Sequence, residues 1–208
     1  RMRSRFEGSE YVKGDGIKVF VDGVVEYPTQ TAAMLNPYLE PVIEGTEIKG
    51  YIDLDSPLCA DTRAEMAAYD DDAARAAFEA EHGFAPQRCE KRYGLLEFDA
   101  EQLNRAVAAF DRDGFTVHLH TIGDRAVRTA LDAVAHARSS NGDSGLLHNL
   151  GHVQFVAPED IPRFAELGAA ATPTMAWAVP YWSYDMTVNP YINEVTSLTG
   201  MGEMYRQD

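Results

Sequence analysis

What most constrains the fold is a succession of strands and helices joined by short turns through the second half of the chain. Phe115-Thr116-Val117-His118-Leu119-His120 reads as a strand. A helical pattern over 99–112 precedes it: Asp99 with Gln102 three residues on is a variant capping box, and Leu103, Val107 and Phe110 then share one helical face. Gly114 ends that helix. After Gly123-Asp124, Val127, Leu131 and Val134 repeat the spacing in a second helix over about 125–137. A Gly/Ser/Asn loop over 139–145 leads to a strand ending near His152-Val153-Gln154. Pro158 suits a first helical turn, Ile161, Phe164 and Leu167 give a short helix closed by Gly168, and 169–174 is a further strand. Earlier, Ile17-Lys18-Val19-Phe20-Val21 is a mainly apolar run stopped by Asp22-Gly23, the pattern of a buried strand ending at a turn. Strands alternating with helices through short loops imply parallel α/β architecture, either a doubly wound sheet or a β/α barrel.

Two stretches break this rhythm. Residues 56–94 are Ala-rich and acidic, with Asp70-Asp71-Asp72 inside, and read as a helical insertion over the surface. Beyond Trp177 the chain is aromatic and polar with Pro180 and Pro190, more like a long loop than a regular element. A formal charge of -15 leaves no basic stripe to neutralise phosphates, which argues against nucleic acid or an anionic membrane and for a small-molecule substrate. No apolar run approaches the roughly 20 residues of a membrane span. Cys59 and Cys89 fit neither a disulfide-dense scaffold nor a Cys-x-x-Cys metal knuckle, so a reducing cytoplasm is the expected compartment.

The residues that could carry chemistry are His118-x-His120 and, about thirty residues later, His148-x-x-x-His152, each group at the end of an expected strand. In parallel α/β folds the C-terminal strand ends face the ligand crevice, so side chains distant in sequence converge there. Imidazole suits zinc and similar ions, and a metal site draws ligands from several elements. A packed or hydrogen-bonded histidine is the competing reading. Within each pair the residue nearest the strand end, His120 and His152, is the better ligand candidate; His118 and His148 are expected to be supporting or structural. Lys18 is anomalous in a buried apolar strand unless paired or altered. It could snorkel to the strand end or pair with Asp22, or carbon dioxide could carboxylate its amine into an anionic ligand able to bridge two metals. Asp124 could orient a ligating histidine or steady the loop, with capping of the following helix the expected role. Trp177, Trp182 and the tyrosines could wall a pocket or simply pack.

These residues resemble the metal-dependent amidohydrolases of the group that includes N-substituted formamide deformylases. The likeness is carried by the strand 17–25 with Thr31-Ala32-Ala33-Met34-Leu35 and Pro37-Tyr38, by Val117-His118-Leu119-His120-Thr121-Ile122-Gly123-Asp124-Arg125-Ala126-Val127, by His148-Asn149-Leu150-Gly151-His152-Val153-Gln154, and by the helix to Gly168 with Pro173. Gly151 stands where a glutamate is usual. The resemblance implies a (β/α)8 TIM-type barrel of the amidohydrolase superfamily, present here in part over 1–208, with one or two divalent ions, zinc by expectation. Lys18, His120 and His152 match its lysine and histidine ligands. It also implies hydrolysis of a C–N bond, amide or formamide-like, by a metal-activated hydroxide. The family's early His-x-His pair and late aspartate have no counterpart, and Gly202-Glu203-Met204-Tyr205-Arg206 resembles the approach to its last strands. A whole barrel takes about 250 residues, so this chain is expected to be an incomplete catalytic domain, inactive alone, whose exposed sheet edges a second copy could cover. The alternative is a non-catalytic α/β module for association or regulation with a vestigial metal site.

Overall fold

The computed structural model describes residues 3–178 and 182–192. Its elements are β1 (Gly16–Phe20), β2 (Pro41–Glu44), β3 (Glu47–Tyr51), α1 (Pro57–Ala64), α2 (Asp72–His82), α3 (Ala100–Arg112), β4 (Thr116–Thr121), α4 (Asp124–Asn141), β5 (Asn149–His152), α5 (Ile161–Leu167), β6 (Ala170–Pro173) and α6 (Trp182–Thr187), with short 3-10 turns between them. Among the described residues β1, β4, β5 and β6 form one sheet in that order, every pair parallel. The register sets His118 beside Lys18 and Asn149, and His120 beside Phe20 and Gly151.

Period-two alternation gives the sheet two unlike faces. Val19, Val117, Leu119, Leu150 and Ala171 turn toward α3, α4 and α5 and join Leu103, Val107, Leu131, Val134 and Phe164 in the main core. Each Val or Leu sealed there contributes about 1.5–3 kcal/mol. Lys18, Phe20, His118, His120 and Asn149 lie on the other face. Among the described residues that face is only partly covered: Phe20 is 57% exposed on it, whereas His120 is buried. The expectation that Lys18 sits in a buried strand is therefore corrected: among the described residues β1 is covered on one side only, and Lys18 is exposed on the other.

Helix ends follow local chemistry. Asp99 caps α3 by accepting the Gln102 amide, as the capping box requires. Gly168, in the left-handed conformation, closes α5. α4 runs four residues past its expected end. Its last turn is held from outside, Asn141 donating to the Ala108 carbonyl and to Asp111, and Arg138 to Asp111 and the Leu146 carbonyl.

Residues 56–94 carry α1, α2 and two 3-10 turns. The β2–β3 hairpin ahead of them has no clear sequence signal, its short strands being mostly exposed. Cys59 and Cys89 form a disulfide. The compartment expected from two separate thiols loses its ground, because a structural disulfide persists where conditions are oxidising. Beyond Trp177 the chain is more regular than a loop, with α6 and a 3-10 turn at Asn189–Tyr191. The segment 202–206, read as the approach to later strands, lies outside the described residues. No helix among the described residues is long and apolar enough to cross a membrane.

Candidate metal centre

His120 ends the partly covered face of β4 and His152 ends β5, and parallel pairing of the two strands brings their rings together with centroids 4.6 Å apart. Phe20 flanks the pair from β1, 5.0 Å from His120, and Trp177 flanks it from the turn after β6, 5.4 Å from His152.

Each imidazole has one nitrogen held by protein. His120 Nε2 donates to the Gly23 carbonyl at 3.1 Å and lies 3.6 Å from Asp22 Oδ1. Its Nδ1 is buried with no hydrogen-bond partner. His152 Nδ1 bonds the Thr174 hydroxyl at 2.9 Å, leaving Nε2 for another partner. A fixed nitrogen opposite an uncommitted one is the arrangement of a metal-ligating histidine, whose second N–H is held by a carbonyl, carboxylate or hydroxyl. Two such rings could supply two of the donors a divalent ion needs. A buried lone pair without a donor is costly in a finished protein, which is a second reason to expect a ligand at Nδ1 of His120.

The backbone at His152 is left-handed (φ 74°), and so is that of Val153 (φ 46°), an uncommon conformation for a β-branched residue. Strain of this kind gathers at functional sites, where it aims a side chain against the local preference. Burial lowers the pKa of His120 and of His152, with repulsion from Lys18 and the neighbouring imidazoles adding to the shift, and so favours the neutral ring a metal needs.

The remaining sequence candidates separate cleanly. Lys18 is on the same face, its Nζ 5.1 Å from the Phe20 ring centroid, and does not pair with Asp22. Partial desolvation lowers its pKa. Asp22 instead accepts the amides of Ala33 and Gly123 at Oδ2 and that of Ile122 at Oδ1, tying the end of β1 to the end of β4. Burial pushes its carboxyl up to about 7 in spite of these bonds. His118 shares the face of His120, two residues earlier in β4; a Cβ on Gly151 would lie 2.5 Å from His118 Nε2, so the missing side chain at 151 is what gives that ring its place. His148 lies at the opposite end of β5, fully buried, where it bonds Val117 and Asp111. These bonds hold it away from the His120–His152 pair. Asp124 does not cap α4, because Gly123 occupies the cap position; its carboxylate accepts the Leu35 and Arg125 amides and so steadies the loop. No three His, Cys, Asp or Glu side chains among the described residues are arranged to hold a metal. The donors present are two imidazoles with Lys18 beside them. Gly23 and Thr174, which fix the two rings, were missed by the sequence reading, since one acts through its backbone and the other pairs only after the sheet forms.

The family model that describes the amidohydrolase family matches residues 1–202. The chain belongs to the amidohydrolase family. Within it, 80 residues are 35% identical to Protein LONG AFTER FAR-RED 3 of Arabidopsis thaliana, covering 38% of this chain and 14% of that protein. Another 85-residue match, 38% identical, is to Exoenzymes regulatory protein AepA of Pectobacterium carotovorum subsp. carotovorum, covering 39% of this chain and 17% of that protein. A solved structure, described as an uncharacterized metal-dependent hydrolase from Pyrococcus furiosus, overlays 90% of this amidohydrolase chain on 29% of its own with a TM-score of 0.51 at 18% identity, a likeness of fold. The matched segments of the chain span about a seventh to a sixth of the length of these curated relatives.

Proposed function

We propose that this amidohydrolase chain is part of a TIM-type β/α barrel and carries one side of a divalent metal site, zinc by preference, for hydrolysis of a C–N bond in a small amide or formamide-like substrate. The observation that carries this reading is the His120–His152 pair, two rings on adjacent strand ends, each held through one nitrogen. A metal there would polarise a substrate carbonyl and make water acidic enough to act as a nucleophile near neutral pH. His120 and His152 would hold it. Lys18 would join them only as a carboxylated amine, since an ammonium has no lone pair to give, and in that form it could bridge a second ion. Phe20 and Trp177 would wall the substrate, and Asp22 and Gly23 would keep His120 in the tautomer with Nδ1 free.

Because the face carrying these groups is only partly covered among the described residues, we expect the isolated chain to turn over amides negligibly. Association of two copies through the edges of β1 and β6, which end the sheet among the described residues, is the corresponding expectation for its assembly. The test is hydrolysis of a simple formamide by the 208-residue chain with and without added zinc, alongside its mass in solution. Turnover well above background and dependent on zinc would show that the site is complete as it stands. A second reading, a regulatory module with a vestigial site, draws support from Gly151 in place of an acidic residue and from the word regulatory in the name of one relative. A net charge of -15 suits the chain poorly to phosphate backbones, and a small molecule is the partner we propose. A cytoplasmic location is compatible with this chemistry but not with a persistent Cys59–Cys89 bond.

A further inference from the structure

Cys59 lies in α1 and Cys89 ends the 3-10 turn that precedes residues 90–97; their Cα atoms are 4.9 Å apart and both residues are fully buried. They sit in a small apolar cluster with Ile52 and Leu54, flanked by Val42 and Phe84, separate from the main core. Three residues past Cys89 the chain becomes a strap bonded along its backbone to the loop 31–38. Tyr38 donates to the Arg92 carbonyl at 2.8 Å, Met34 to the Tyr93 carbonyl at 2.9 Å, and Leu95 donates to the Thr31 carbonyl at 3.1 Å. Gly94 passes so close that a Cβ would lie 1.8 Å from the Ala32 carbonyl oxygen. From the first turn of α4, Arg125 donates to the carbonyls of Tyr93 and Gly94.

Thr31 passes this restraint on to the site. Its hydroxyl accepts the Val24 amide at 3.1 Å, and a Cβ on Gly23 would lie 2.1 Å from the same oxygen. Gly23 is thereby fixed, and its carbonyl is the group that holds His120 Nε2. A continuous set of contacts runs from Cys89 through Arg92–Leu95, Thr31 and Gly23 to His120.

We propose that the Cys59–Cys89 disulfide is a clamp on His120, so that metal affinity at the His120–His152 pair depends on thiol–disulfide state. The inference rests on the reading of those histidines as ligands. Reduction by a dithiol proceeds by thiolate attack on one sulfur and resolution by the second thiol; the protein gains two thiols and the reagent becomes its cyclic disulfide, so electrons and protons balance. Losing the bond frees the 56–89 segment to fluctuate, loosens the strap, and lets Gly23 leave His120. Outer contacts of a metal-ligating histidine are worth about 10–100-fold in affinity.

The experiment measures zinc affinity by competition with a chromophoric chelator, and amide hydrogen exchange, on four samples: the oxidised chain, the same chain after dithiol reduction, that sample reoxidised, and Cys59→Ser/Cys89→Ser. The expected result is a dissociation constant about tenfold weaker in the reduced chain and in the double variant, restored by reoxidation, with faster exchange at Leu95 and unchanged exchange at Leu119. Equal zinc affinity in oxidised and reduced chains overturns the clamp, and so does loss of Leu119 protection, which would mean that the bond holds the whole chain. If the double variant does not fold, the reversible reduction of the native chain decides. Failure of the underlying reading looks different: the oxidised chain then binds zinc no better than His120→Ala, and the inference falls with it.

Discussion

The backbone amide of Val117 donates to Nδ1 of His148 at 3.1 Å, and Nε2 on the same ring lies 2.9 Å from Asp111 Oδ1. With an amide proton pointing at Nδ1, the ring has to be neutral with its own proton on Nε2, donated to Asp111. A second proton would break the Val117 bond. Burial, the largest cause, and the Arg138 charge hold the pKa of His148 below its ordinary 6.5 although Asp111 pulls the other way. Asp111 in turn is held below 3.8: burial raises it, but hydrogen bonds from Ser144, Asn141 and His148 outweigh that.

The sign of the pH dependence follows. Both groups have folded pKa values below their unfolded ones, so the unfolded chain takes up protons first and stability is lost as pH falls. For His148 the loss begins at about 6.5 and for Asp111 below about 4. We expect His148→Gln to be less stable than the parent by about 1–3 kcal/mol at pH 8, because a buried amide or carboxylate loses its partner. It should lose less than the parent between pH 8 and pH 5, as read from urea midpoints. Parallel pH profiles for the two chains would contradict the neutral-ring assignment.

Gly151 and His118 are coupled by space. A methyl at 151 meets Nε2 of His118 at 2.5 Å and its Cε1 at 2.8 Å, so the ring must move. Overpacking of this kind costs about 1–3 kcal/mol. Gly151→Ala should destabilise the chain by that amount in thermal or urea unfolding, and the cost should largely vanish in a His118→Ala background. Additive effects would show that something other than His118 meets the new methyl.

Asp22 draws the ends of β1 and β4 and the loop at Ala33 together through three backbone amides. In Asp22→Asn at least one of those amides faces an NH2 group instead of an oxygen. The amide oxygen can stay with Ala33 and Gly123, which leaves Ile122 facing the NH2 group; the expected loss is about 1–3 kcal/mol, with faster exchange at Ile122. An unchanged stability would mean that the loop re-forms its bonds elsewhere.

How much of this could be read from the residues depends on where each signal resides. The order of α3, β4, α4, β5, α5 and β6 was legible because periodicity, the Asp99 cap and the Gly168 stop are local properties. The end of α4 was not, since Arg138 and Asn141 are helical through partners on α3 and in the following loop. Lys18 was misjudged because an apolar run does not reveal whether one or both sheet faces are covered. His120 and His152 could be chosen by depth in their strands. Their orientation could not, for it depends on the Gly23 carbonyl and the Thr174 hydroxyl, which are supplied by the segments after β1 and β6. The Cys59–Cys89 bond was hidden by 30 residues of separation with no spacing rule to join them.

The central claim is that His120 and His152 are metal ligands. Zinc titration of the 208-residue chain against His120→Ala, His152→Ala and the double variant, with circular dichroism to confirm folding, tests it most directly. The account predicts binding by the parent chain, at least tenfold weaker binding in each single variant, and none measurable in the double variant. Zinc bound equally well by the folded double variant would contradict it.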